Sequence, residues 1–373
     1  MKKIFFMALC LAAAACTSVK EVELILASSF ETEVDGKQVS LYTLAAGDLT
    51  MQVTNFGGRV VTLWTPDKDG NYEDIVLGYN NIETYLNNPG ERFLGAVVGP
   101  YANRIANGTY TIGEETYTFP QNNNGQTLHG GLKGLDLVVW DVEEVTDSTL
   151  VLSYLHEDGA EGMPGNLKVV MTYALTSDNE FKVDYLAETD KSTHVNISHH
   201  SFFNLKGEGN GTINDHILYI NASNTTPVNA ALIPSGEIAD VTGTPFDFRQ
   251  AKAIGQDLEV ENEQLANGGG YDHNWILDRQ TADQMELAAS VYEPASGRFM
   301  EVYTDQPALQ FYGGNFFDGT TEGKYGKALR YRESMALETQ KYPDTPNHSN
   351  FPSTLLNPGD TYTHSCVYRF SVK

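Results

Sequence analysis

The residues predict an all-β chain folded as one large antiparallel β-sandwich, on three observations. Apolar residues recur with period 2 far more often than with the helical period. Turn-forming residues punctuate those runs. No fixed-period repeat, low-complexity run or Pro/Ser-rich linker divides the body, so two packed sheets are expected in a single unit rather than two tandem sandwiches. In chain order, Asp69-Gly70-Asn71 marks an early turn, and Ile82–Asn87 is one of two short stretches that could form helical turns. Leu150, Leu152 and Tyr154 start another alternating run, and Asp158-Gly159 turns the chain. Residues 167–188 read as two strands around Ser177-Asp178-Asn179-Glu180. Residues 251–258 are the second candidate helical stretch. After Pro358-Gly359-Asp360, the last strand places Tyr362, His364, Cys366, Tyr368, Phe370 and Val372 on one face. Thr363, Ser365, Arg369, Ser371 and Lys373 lie on the other face, which Val367 interrupts.

The 373 residues are 41% hydrophobic and 20% charged, which fits a globular chain rather than a disordered one. The formal net charge of −25 excludes nucleic acid as a partner, because phosphate binding needs clustered Lys and Arg. It suits a small neutral ligand and otherwise serves solubility. Residues 1–15 read as a signal peptide of the lipoprotein type. Lys2 and Lys3 precede an apolar stretch, 4–15, too short to span a bilayer, which ends in Ala-Ala-Ala before Cys16. Lipid on Cys16 is expected, with residues 16–27 as a tether and residues 28–373 as the domain. Ala13 stands where such signals usually carry Leu, so plain signal cleavage without lipid is the alternative. The expected location is the cell envelope, membrane-anchored or periplasmic. Cys10 leaves with the signal, so Cys366 stays alone and no disulfide can form within the mature chain.

Four clusters put polar residues where a buried strand should be apolar. In Gly99-Pro100-Tyr101-Ala102-Asn103-Arg104-Ile105, the Arg offers fixed donors for oxygen ligands, or pairs with a structural carboxylate. In Thr127-Leu128-His129-Gly130-Gly131, the glycines allow a ligand or another backbone to approach closely. The run from Asn196 to Leu205 contains His199 and His200. On an extended strand these two point to opposite faces, so they do not chelate one metal, and His200 suits general acid–base work better. The last cluster, Ala336-Leu337-Glu338-Thr339-Gln340, follows Gln310, Tyr312 and Asn315. A carboxylate within such an apolar strand is costly unless it is paired or used.

Taken in order, these segments resemble the aldose 1-epimerase (galactose mutarotase) family. The resemblance includes ANRI, TLHGG, HHSFFNL, residues 226–249, YDHNW, LQFYGGNFFDG and residues 336–360, which together span nearly the whole mature chain. It implies the galactose mutarotase-like β-sandwich, His200 as general acid and Glu338 as general base. It also implies Asn103, Arg104, His129, Asp272 and Gln310 as sugar-binding residues, with His129 between a binding and a catalytic role. His199 stands where the family usually has Asn, and Phe202 where it has Tyr.

The implied reaction interconverts the α and β anomers of a free aldohexose such as galactose or glucose. Glu338 takes the anomeric hydroxyl proton while His200 gives one to the ring oxygen, and the opened aldehyde turns and recloses. That chemistry requires no cofactor. Some relatives bind calcium or sodium, so Ca²⁺ is carried as an implication of the resemblance, although no EF-hand spacing is present. A monomer with a small aldose as its ligand is expected. Two rival readings use the same residues: a non-catalytic sugar-binding envelope protein, and a glycoside hydrolase employing Asp272 with Glu338. A phosphosugar epimerase would need an additional basic cluster, which is not visible.

Overall fold

The computed structural model describes residues 22–373 except 88, 89 and 283. The expected signal and the lipid site at Cys16 lie outside the described residues. Contacts reach back to Ile25, whose backbone N–H and carbonyl both bond to the Gln52 side chain at 2.9 Å. Among the described residues no helix is long and apolar enough to cross a membrane.

Two antiparallel sheets dominate. The larger has nine strands, ordered Asp141–Val145, Thr149–His156, Leu167–Leu175, Glu180–Thr189, Tyr362–Val372, Arg298–Thr304, Glu286–Tyr292, Ile217–Ile220 and Lys252–Ala253. The smaller has six: Phe202–Phe203, Met335–Gln340, Ala308–Tyr312, Asp272–Leu277, Ala222–Thr226 and Ala239–Asp240. A four-stranded sheet formed by residues 41–74 packs alongside. The expected turn at 177–180 joins Leu167–Leu175 to Glu180–Thr189, with Asn179 at a φ of 58°. The C-terminal strand buries Tyr362, His364, Cys366, Tyr368 and Phe370 on one face as expected. Val372 departs from this pattern and is 47% exposed, because the strand there runs out past the core.

Two details correct the helix reading. Only Ile254–Asp257 of the 251–258 stretch is helical, as a 3₁₀ turn. An unexpected α-helix covers Glu263–Gly268. Its end signals are local: Asn262 accepts from the backbone N–H of Gln264 and Leu265, and Gly269 closes it at a φ of 63°.

The six-stranded sheet positions the site because both its faces are buried with opposite chemistry. Trp275, Leu309, Phe311 and Leu337 point into the core against Tyr173, Phe181, Val302 and Tyr368 of the large sheet. Each such side chain stabilises the fold by about 1.5–3 kcal/mol on burial, so the sandwich needs no crosslink. Cys366 is buried and free. The alternate residues face the other way: Asp272, Asn274, Gln310, Tyr312, Glu338 and Gln340. Pairing aligns them in two rows, Asp272–Tyr312–Ala336 and Asn274–Gln310–Glu338.

Candidate active site

On that second face lies a cavity of about 280 Å³ lined by Asn103, Arg104, His129, His200, Asp272 and Glu338, together with Glu91, Phe93, Asn123, Phe202, Tyr312 and Phe316. Six of the seven residues singled out from sequence thus line one space, and Gln310 reaches it through Asp272. The Gln310 amide donates to Asp272 Oδ1 at 2.7 Å. Arg104 approaches the other Asp272 oxygen at 3.9 Å and donates from Nε to Asn123 Oδ1 at 3.3 Å.

His200 enters from the short strand Ser198–His200, which pairs with Ala96–Val98. Its Nε2 lies 3.3 Å from Glu338 Oε1. The adjacent His199 points into the core, where its Nε2 meets Ser201 Oγ at 2.6 Å and its Nδ1 meets the Tyr173 hydroxyl at 3.1 Å. The divergence expected on a strand is therefore present, and the two rings serve different environments.

His129 owes its protonation state to a backbone contact. The Asn103 N–H donates to His129 Nδ1 at 3.0 Å, so that nitrogen must carry the lone pair. The remaining proton sits on Nε2, making His129 a neutral donor. Burial, then the neighbouring His200 and Arg104, push its pKa well below the ordinary value. Asn103 and His129 both adopt positive φ, 63° and 52°. The glycines after His129 admit protein, not ligand: a Cβ on Gly130 would stand 2.0 Å from the Gly99 carbonyl oxygen, and one on Gly131 would stand 2.6 Å from Glu161 Oε2.

Electrostatics in the cavity are frustrated. Burial pushes Glu338 well above the ordinary carboxylate range; Asp272 and Glu91 add to this and Arg104 opposes it. Burial lowers His200 to about 4. Burial also raises Asp272, against Arg104 and the Gln310 hydrogen bond. Glu338 Oε2, His200 Nδ1 and Gln310 Oε1 are buried without a hydrogen-bond partner. Buried polar atoms are normally paired, so these three leave hydrogen-bonding capacity unmet beside the cavity. The carboxyl–imidazole and carboxylate–imidazolium forms of the Glu338–His200 pair, 3.3 Å apart, differ only in the position of one proton.

Sequence reasoning missed Glu91 and Phe93. The Phe93 ring packs 4.7 Å from His129 and 6.0 Å from His200. Arg92 between them is clamped to Asp136 at 2.6 and 2.8 Å, and Asp136 also faces buried Arg59 at 3.6 Å. An ion pair spanning 44 positions has no local sequence signal, so nothing marked this segment as cavity wall.

His129, His200 and Glu338 bring one ligand atom each within 4.8 Å of one another, the metal-capable group among the described residues. Two imidazoles and one carboxylate do not suit Ca²⁺, which takes six to eight oxygens, so no step is assigned to that ion.

The family model described as aldose 1-epimerase matches residues 40–369. Galactose mutarotase of Bos taurus is 40% identical over 334 residues, covering 90% of this chain and 94% of that protein. Aldose 1-epimerase of Escherichia coli is 36% identical over 340 residues, covering 90% and 96%. Among solved structures, an aldose epimerase homologue from C. elegans superposes with a TM-score of 0.82 at 28% identity, covering 90% of this chain and 99% of that one. Galactose 1-epimerase from Lactobacillus acidophilus gives 0.79 at 28%, covering 92% and 97%. This chain belongs to the aldose 1-epimerase family.

Proposed function

We propose that this isomerase interconverts the α and β anomers of a free aldohexose, with Glu338 and His200 as the proton-transferring pair. The observation that carries the proposal is the 3.3 Å approach of His200 Nε2 to Glu338 Oε1 at one wall of a cavity suited to a single sugar ring. Ring opening removes a proton from the anomeric hydroxyl and delivers one to the ring oxygen. Reclosure on the other face of the aldehyde reverses both transfers. The pair's proton count is unchanged over the cycle, so its single proton suffices and no cofactor is required. Glu338 acts as base in its ionised form, which Arg104 favours, and His200 acts as acid. Arg104, Asp272 (held by Gln310) and Asn103 hold the hydroxyls, while His129 Nε2–H donates to a sugar oxygen.

A sugar-binding protein without catalysis has no need of two titratable groups in mutual reach. A hydrolase would need Asp272 free, whereas it is engaged by Gln310 and faces Arg104. Polarimetry from a pure α-hexose tests the reading: the parent should speed relaxation and Glu338→Gln should not, and equal rates for the two would remove Glu338 as the base.

We also infer a lipid on Cys16 and an envelope location, supported by Lys2, Lys3, the apolar run and the small residues before Cys16. The mass of the mature N-terminus checks this, and a chain cleaved without added lipid would overturn the anchor.

A further inference from the structure

The acid and the base reach the cavity from different strands, and no backbone ladder joins the two. Ser198–His200 pairs with Ala96–Val98, whereas Met335–Gln340, which carries Glu338, pairs with Ala308–Tyr312 and Phe202–Phe203. The strands meet through side chains instead. The Asn196 amide oxygen accepts from the Lys341 N–H at 2.9 Å, and the Ser198 hydroxyl donates to the Thr339 carbonyl at 2.8 Å. Moving two residues along one strand thus moves two along the other, an antiparallel register that leads on to His200 and Glu338.

A buried ring closes this joint from the core side. His364, on the C-terminal strand, is 1% exposed and does not line the cavity. Its Nδ1 lies 2.9 Å from the Ile197 carbonyl oxygen and its Nε2 lies 2.8 Å from Thr339 Oγ1. A carbonyl can only accept, so Nδ1 carries the proton, Nε2 keeps its lone pair and the Thr339 hydroxyl donates to it. Burial lowers the His364 pKa, against Asp305 and the Ile197 carbonyl, and so favours this neutral form. Both ring nitrogens are engaged, one by the residue that leads into the strand of the acid and one by the residue that follows the base. The same strand adds two hydroxyls. That of Tyr362 accepts from the Ile197 N–H at 3.1 Å, and that of Tyr368 donates to the Leu337 carbonyl at 3.0 Å. Glu338 is therefore held on both sides, at Leu337 and at Thr339, by one strand of the opposite sheet.

We propose that His364 is a positioning residue for anomer interconversion: bonded through Thr339 to the strand of the base and through Ile197 to that of the acid, it sets the 3.3 Å approach of His200 to Glu338. The inference rests on the epimerase reading and adds to it a residue that never touches the sugar. Proton transfer needs its groups in place, and a misplacement of about 1 Å can cost about 10²-fold in rate. A joint made of a few side-chain bonds has no ladder to fall back on, so the loss of one bond reaches the reacting atoms.

The test removes one hydroxyl and keeps the shape. Polarimetry from a pure α-hexose is run on the parent, Thr339→Val, Thr339→Ser and Met300→Ala, each well below its melting temperature. Thr339→Val should lower kcat about ten-fold and leave KM near the parent's, because the sugar-binding groups are untouched. Thr339→Ser, which keeps the hydroxyl, should restore kcat. Met300→Ala weakens the core one strand away, on Arg298–Thr304, without cutting these bonds; it should melt lower and keep kcat. A parental kcat in Thr339→Val would overturn the proposal. So would a Thr339→Ser as slow as Thr339→Val, or a Met300→Ala that loses kcat as deeply, since the loss would then follow packing rather than the bond to His364. A parent that does not speed relaxation would instead bring down the epimerase reading.

Discussion

Of the buried charged groups described in this sandwich, two are built on opposite terms. At one, Lys324 is fully buried and its Nζ meets Asp74 Oδ2 at 2.7 Å, Glu208 Oε2 at 3.1 Å and the carbonyls of Val61 and Val76 at 2.5 and 2.7 Å. Burial works against the Lys324 cation, but Asp74 and Glu208 outweigh it and its pKa lies above the ordinary value. At the other, Glu338 and His200 are equally buried, yet burial pushes both toward their neutral forms and each leaves a polar atom unpaired. The first group turns inward on the fold: even Glu208, its pKa raised to about 7 by burial and with Oε2 short of a hydrogen bond, has the Lys324 cation 3.1 Å away and faces no described cavity. The second withholds such bonds for a ligand. Buried charge alone does not mark a site; buried charge with unmet partners facing a cavity does.

Breaking either group tests the distinction, and the largest effect belongs to the cavity. Glu338→Gln should lower the catalysed mutarotation rate by about 10²–10⁴-fold, read by polarimetry. Because the variant removes a carboxyl that burial disfavours, its thermal stability should equal or exceed the parent's. A clear loss of Tm in Glu338→Gln would mean that Glu338 also holds the fold, and the contrast would fail.

Lys324→Met should do the reverse. It strands Asp74 and Glu208 without their cation, which costs about 3–5 kcal/mol in denaturant unfolding. The folded fraction should turn over near the parental rate. A variant as stable as the parent would show that the three groups are dispensable to the fold.

Part of the cavity was legible because strand periodicity places alternate residues on one face, and Asn103, Arg104, His129, Asp272 and Gln310 were legible through the resemblance to the epimerase family. The strand rule separated His200 from His199, while Glu338 stood out as a carboxylate within an apolar strand. The fold class followed from the same period-2 pattern and from turns such as 177–180. Illegible parts arise from contacts distant in sequence. Lys324 meets Val61 across 263 positions, and Arg92 meets Asp136 across 44. In sequence, Lys324, Arg92 and Asp136 do not differ from ordinary surface charges. The glycines of TLHGG were read correctly as a site of close approach, but only the structure shows that the Gly99 carbonyl is what approaches.

The smallest expected effect on activity concerns the neighbour of His200, the proposed acid. His199 is neutral and core-bound, with its pKa lowered by burial to about 3 from an ordinary 6.5. Its ring packs within 5.3 Å of Phe181 and 5.7 Å of Tyr173. A depressed folded pKa means that the unfolded chain binds the extra proton first as pH falls. The stability His199 supports is therefore complete above about 6.5 and is lost progressively from there down toward 3. The loss approaches about 1.4 kcal/mol per pH unit within that window. His199→Asn, which installs the residue usual in the family, removes this proton-linked loss. It also gives up ring packing, at about 1–3 kcal/mol near neutral pH. The variant should accordingly melt lower than the parent at pH 7, yet lose less stability between pH 7 and 4.5, in paired thermal melts. Its mutarotation rate should stay near the parent's, since the ring never reaches the cavity. A rate loss as deep as that of Glu338→Gln would place His199 in the proton path and erase the difference between the two faces of its strand.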